Sequence, residues 1–202
     1  FSSRIESGGA IRHAHFVENG QIKSAPARHE INKVITYAFS YDFGLYENIL
    51  KDLGEIFNGS SIRVNLKFHP LFTSSYIETH LGKYLNSNLV NALPIPWPEI
   101  YRDSDFILYD DNTVGFEGMI NGIKTYMYQD ADKTYDCKRD YYFGLWKHDV
   151  NKADLLKMKK ELEDGTYNKS FDQVQLHSYL KSYFTPYVPK ETFAKMKRIY
   201  EV

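Results

Sequence analysis

Cysteine is almost missing from this chain: Cys137 is the only one in 202 residues. A single thiol excludes an intrachain disulfide framework and any cysteine-based zinc site, so the expected compartment is the reducing cytoplasm. An excess of one charge is missing as well. Lys and Arg number 25 against 26 Asp and Glu, a net charge of −1, and Lys and Arg never run beyond a pair. Nucleic-acid binders normally carry a basic face, so no nucleic-acid partner is expected. No apolar run approaches the roughly 18 residues needed to span a bilayer, and no secretory leader is visible. Glycine-rich phosphate loops are also lacking. Neither G-x-G-x-x-G nor G-x-x-x-x-G-K-[ST] occurs, which argues against a Rossmann dehydrogenase and a P-loop enzyme. There is no G-x-S-x-G elbow, and Cys137 lies among charges without an evident histidine partner.

What is present is ordinary for a globular protein, with 43% hydrophobic and 25% charged residues. Aromatics are the exception, at 17 Tyr and 13 Phe; an AT-rich genome accounts for these more simply than sugar-stacking surfaces do. The chain starts without methionine on the polar run Phe1–Gly9, and reads as a piece of a longer protein. Residues 1–30 are polar and irregular, and are expected to be a linker or the tail of a missing amino-terminal domain.

From residue 31 the pattern alternates. Lys33–Phe39 is a compact β-branched and aromatic run, read as a buried strand. Leu45–Phe57 spaces Leu45, Ile49, Leu53 and Ile56 as an amphipathic helix. Ile62–Phe68 is a second strand, with Arg63, Asn65 and Lys67 alternating against apolar neighbours. A short helix is expected near Tyr76–Leu85 and a helical turn at Pro98–Arg102. Asp105–Tyr109 then reads as a strand, Thr113–Asn121 as a helix and Lys124–Tyr128 as a strand. Strands alternating with helices imply right-handed βαβ crossovers and a mainly parallel sheet. Asn151–Glu163 has helix spacing, with Asn151 as N-cap and Gly165 beyond its end. Phe171–Phe184 and Lys190–Tyr200 are expected to be helical. The expected fold is thus α/β, a parallel sheet flanked by helices over residues 31–150, with a helical extension over 151–202 packing on it.

Ligands of open parallel sheets collect at the carboxyl ends of strands. Three such ends stand out: Ser40-Tyr41-Asp42, His69-Pro70 and Asp110–Gly115. His69 has two readings. It contacts a phosphate or base, or it bonds a neighbouring loop while Pro70 stops the strand. Asn112-Thr113-Val114-Gly115 enters a helix whose N–H groups and dipole suit phosphate, or is an ordinary N-cap. Glu117 either accepts both hydroxyls of a ribose or is merely a favourable acid in a first turn. His13 and His15 lack companions for a metal site. Asp103 and Asp105 bracket a strand start and read as exposed carboxylates. Trp97 and the Tyr141-Tyr142 pair are better explained by packing than by stacking on a ligand. No metal is expected.

Lys67-Phe68-His69-Pro70, a gap of about forty residues, and then Ser104–Tyr128 together resemble the carboxyl-terminal half of GT-B-type glycosyltransferases. The pattern is similar to bacterial capsule and lipopolysaccharide transferases and to CDP-glycerol glycerophosphotransferases. UDP-GlcNAc 2-epimerases share an E-A-x-x-x-G-x-P feature, echoed by Glu117–Lys124 without its proline, and half of such an epimerase is the alternative. A non-catalytic domain of the same fold is a third reading. The resemblance covers residues 33–130. It implies one Rossmann-like half of a GT-B architecture, in a bacterial enzyme of surface polysaccharide synthesis at the cytoplasmic face of the inner membrane. His69 would be the catalytic contact to the nucleotide phosphate or base. Thr113, Val114 and Gly115 would bind phosphate, Glu117 would hold the ribose and Ser40 would line the first loop. The donor would be a CMP-, CDP- or UDP-linked sugar, with no other cofactor, and the acceptor a glycan or lipid-linked glycan. A general base is not evident; it would come from the missing amino-terminal domain, leaving the fragment inactive alone.

Overall fold

The computed structural model describes residues 17–18, 21–22, 30–40, 46–110, 114–128, 145 and 149–183. The chain divides into two compact units, residues 27–171 and a second one formed by 1–26 with 172–202. In the smaller unit β1 (Val17–Glu18) and β2 (Gln21–Ile22) pair antiparallel, and α6 spans Gln173–Tyr183. The expected helix at Lys190–Tyr200, the H-x-H pair, Cys137 and the Tyr141-Tyr142 pair lie outside the described residues.

In the larger unit β3 (Val34–Ala38), β4 (Arg63–Lys67), β5 (Leu89–Asn91), β6 (Phe106–Tyr109), β7 (Lys124–Tyr128) and β8 (Asp149–Val150) form one sheet. Its order is β5-β4-β3-β6-β7-β8, and every pairing is parallel. The β5 and β8 edges have no counterpart in the sequence reading. At three and two residues they are too short to show a period of two.

Alternation assigns the two faces. Ile35, Tyr37, Val64, Leu66, Phe106, Leu108, Tyr126 and Tyr128 join one core cluster with residues of α1 (Tyr46–Phe57) and α5 (Lys152–Glu163). Ile49, Leu53, Ile56 and Phe57 give α1 its apolar stripe, and Leu155, Met158 and Leu162 give α5 its own. Asn151 closes a capping box with Asp154 at the start of α5, and Gly165 follows its end at φ 71°. Within the larger unit α5 packs on α1, and Lys152 pairs with Asp52 at 2.9 Å.

Thr36, Asn65, Lys67, Ile107 and Thr125 point to the other face, where α3 (Trp97–Asp103) and α4 (Val114–Ile120) lie. This second layer buries even Thr36, Asn65, Lys67 and Thr125. Gly118 is required here: a Cβ would fall inside van der Waals contact of Thr125 Cγ2, whose hydroxyl is held on the Gly115 carbonyl at 3.1 Å. The stretch expected as one short helix at Tyr76–Leu85 is three successive pieces: α2 (Ser74–Tyr76), a π-turn at Ile77–Leu81 and a 3₁₀ turn at Gly82–Tyr84.

Asp105 corrects the sequence reading. It is buried, not exposed, because it accepts the backbone N–H groups of Asn32 and Val34, each at 2.9 Å, and the Lys169 ammonium at 3.0 Å. That network closes the amino-terminal edge of the sheet.

Candidate functional site

Strand β3 has β4 on one side and β6 on the other, so the chain order reverses between β3 and β6. Numbered within the sheet, the order is that of the doubly wound dinucleotide-binding domains, and the crevice outside the carboxyl ends at such a reversal is where they bind ligands. It is a Rossmann-like domain. Ser40 and Asp110 meet at its switch point. The Ser40 backbone N–H donates to Asp110 Oδ2 at 3.1 Å, and its carbonyl accepts from the Tyr46 hydroxyl at the start of α1. Both residues are buried. Asp110 therefore ties the exit of β3 to the exit of β6, and the Tyr46 hydroxyl ties the exit of β3 to the start of α1.

Register extends this edge sideways. Ala38 is flanked by Lys67 on β4 and Tyr109 on β6, so Ser40, His69 and Asp110 leave the sheet along one line. Lys67 is buried beneath it. Its ammonium donates to the carbonyls of Ala92, Leu93 and Ile95 at 3.2, 2.7 and 2.5 Å and lies 5.7 Å from the Trp97 ring centroid. Desolvation lowers its pKa from the ordinary lysine value. One buried cation thus holds the proline-punctuated loop after β5 against the carboxyl edge. Sequence reasoning passed over it, since a lysine in an alternating strand reads as a solvent-facing residue until α3 is seen to cover it. Trp97 stacks on Tyr101 at 5.3 Å, which agrees with its reading as a packing residue.

His69 is half-buried and organises its own turn. Its Nδ1 accepts from the Leu71 N–H at 3.3 Å, and its carbonyl accepts from the Phe72 N–H at 2.9 Å. A neutral imidazole accepting at Nδ1 carries its proton on Nε2. Thr113 lies outside the described residues. Val114 and Gly115 are buried in the first turn of α4. Glu117, half-buried, accepts the Tyr101 hydroxyl at 3.0 Å, an anchor on α3 that the sequence did not announce. The structure therefore brings Ser40 and Asp110 into contact, sets His69 on the same edge, and pins Glu117 one turn into α4.

No protein-family model matches the chain, and no curated protein matches it. Solved structures do. The wall teichoic acid polymerase TagF aligns over 85% of this chain and 44% of its own, at 17% identity and a TM-score of 0.48. A Listeria monocytogenes protein described as a UDP-N-acetylglucosamine 2-epimerase aligns over 85% and 46%, at 16% identity and a TM-score of 0.43. A TagF variant soaked with CDPG aligns over 89% and 44%, at 17% identity and 0.44. The chain spans less than half the length of each of these structures. The likeness is one of fold, and the chemistry of the site rests on this chain's own residues.

Proposed function

We propose that the Rossmann-like domain binds a nucleotide-activated sugar and is the donor half of a metal-independent glycosyltransferase of bacterial surface-carbohydrate synthesis. The observation that carries this reading is the Ser40–Asp110 contact at the β3/β6 reversal, with His69 leaving the sheet on the same line. The nucleotide phosphates rest between Ser40, at the exit of β3, and the first residues of α4, Val114 and Gly115, with the Thr113 hydroxyl as a further donor. His69 donates its Nε2 proton to a phosphate oxygen. Glu117, oriented by Tyr101, accepts the ribose hydroxyls.

Transfer makes a bond from the acceptor hydroxyl oxygen to the anomeric carbon and breaks the bond from that carbon to the phosphate oxygen. The nucleotide leaves with the electron pair, and the acceptor proton passes to a base in the amino-terminal half. This chain's contribution is to hold and neutralise the departing phosphate. The acceptor is a glycan or lipid-linked glycan presented at the cytoplasmic face of the membrane; among the described residues no helix is long and apolar enough to cross it.

Calorimetric titration of residues 1–202 with CMP, CDP and UDP tests the reading. One nucleotide binds, and His69→Ala and Glu117→Ala each abolish that binding. A folded sample that binds none of the three at millimolar concentration overturns it in favour of a non-catalytic domain.

A further inference from the structure

A cleft of about 640 Å³ opens on the face of the sheet that carries α1, next to the switch point. Its size lies within the range of small-molecule sites. One wall is the first turn of α1, with Glu47 and Asn48; the other is Tyr76 at the end of α2 and the π-turn that follows it, with Thr79 and His80. Lys83 closes one end, paired with Glu47 at 3.4 Å. Its floor is Tyr46, the residue whose hydroxyl holds the Ser40 carbonyl.

The lining has a specific chemistry. Tyr76 is 38% exposed, one of few large apolar side chains at the surface among the described residues. It is also rigidly backed. Phe39 stacks on Phe68 at 4.9 Å and meets Tyr46 at 4.5 Å, Tyr46 meets Phe72 at 5.2 Å, Phe72 meets Tyr76 at 5.4 Å, and Tyr76 meets His80 at 4.4 Å. A ladder of rings therefore runs from the core to the cleft and fixes an aromatic platform there. The π-turn at Ile77–Leu81 widens the helix where Thr79 and His80 face the opening, and such turns are frequent at functional sites. Around the platform stand a hydroxyl, an amide, an imidazole, a carboxylate and an ammonium, the last two neutralising each other. A phosphate would need net positive charge. A ring with one apolar C–H face and a rim of hydroxyls needs an aromatic surface and mixed donors and acceptors.

We infer that this cleft binds a carbohydrate ring, stacked on Tyr76 and hydrogen-bonded by Asn48, Thr79 and the Glu47–Lys83 pair. The inference deepens the proposed donor site, on which it rests for the ring's source: the sugar of the activated donor, or a residue of the acceptor glycan.

Saturation-transfer difference NMR on residues 1–202 tests it. The probes are free glucose, galactose and N-acetylglucosamine, an oligosaccharide of each ring, and CDP and UDP with their sugar conjugates. Sugar-ring protons receive saturation in the wild type, and Tyr76→Ala weakens that binding about tenfold, one stacking contact's worth. Tyr76→Phe restores it, and nucleotide affinity in Tyr76→Ala stays within about twofold. Enhancement confined to the conjugates assigns the donor sugar, whereas competition by a free oligosaccharide assigns the acceptor. Absence of saturation in every sugar ring, or saturation unchanged by Tyr76→Ala, overturns the inference even if nucleotide binds. Sugar binding that depends on Tyr76 without any nucleotide binding upholds the cleft and overturns the donor reading alone.

Discussion

The two edges of one sheet bury aspartates in opposite ways. At the amino-terminal edge Asp105 takes two backbone N–H groups and the Lys169 ammonium, and Lys169 also donates to the Glu30 carbonyl. At the carboxyl-terminal edge Asp110 takes the Ser40 N–H across the strand reversal, while His69, Tyr76 and the cleft beside them meet solvent. The first carboxylate locks segments that arrive from residues 30–34, 105 and 169 into one node. The second shapes an opening. An ion pair of this kind is a poor source of net stability, but breaking one partner strands the other charge. Stability should therefore be concentrated at the amino edge and binding at the carboxyl edge.

The sharpest test is Asp105→Ala. It leaves the buried Lys169 ammonium without its counter-charge and two backbone N–H groups unpaired, and should cost about 3–5 kcal/mol in urea denaturation. Asp110→Ala should cost about 1–3 kcal/mol, the penalty for an unsatisfied buried N–H, and should weaken nucleotide binding. Equal losses at the two sites would break the comparison.

Gly118→Ala comes next. The added methyl meets Thr125, which cannot turn away without giving up the Gly115 carbonyl. Overpacking of this kind costs about 1–3 kcal/mol, and pairing it with Thr125→Ser should recover most of the loss in thermal unfolding.

A smaller effect is confined to alkaline pH. The Tyr126 and Tyr167 hydroxyls share a hydrogen bond of 2.7 Å, and burial raises both phenols above their ordinary value of 10.0. Above that value an unfolded phenol has lost its proton while the folded one keeps it, so stability falls as pH rises. The slope is at most about 1.4 kcal/mol per pH unit for each phenol. Urea midpoints between pH 9 and pH 11 should decline less in Tyr126→Phe/Tyr167→Phe than in the wild type.

The smallest effect on stability belongs to His69→Ala, at most about 1 kcal/mol, because the half-buried imidazole accepts a solvent-exposed bond from the Leu71 N–H. Circular-dichroism melts should barely move while calorimetry reports no nucleotide binding. A large loss of stability would make His69 a turn residue and nothing more.

Much of this comparison was legible in the residues. The runs at 33–39, 62–68, 105–109 and 124–128 are β3, β4, β6 and β7 to within a residue or two, because fully buried parallel strands read as near-continuous apolar segments. The Asn151 cap and Gly165 stop bound α5 as expected, since both are local hydrogen-bonding and dihedral requirements. The two edge strands were not legible, nor was the π-turn, because a few residues carry no period of their own. Asp105 reads by type as an exposed carboxylate and Lys67 only as one polar member of an alternating strand; their burial depends on Lys169, 64 residues away from Asp105, and on the loop and helix after β5. Tyr76 sat unnoticed in an expected helix, since nothing local marks the end of an aromatic ladder.

The sequence by itself determined the class of fold and the strand ends at Ser40, His69 and Asp110, because hydrophobic period and chain breaks are local properties. The tertiary structure alone decided which strands are neighbours, and so where the order reverses. It also decided which charges are sealed and which ring is left at the mouth of a cleft. Those outcomes depend on contacts between residues far apart in the chain, where packing and desolvation, rather than local preference, set the free energy.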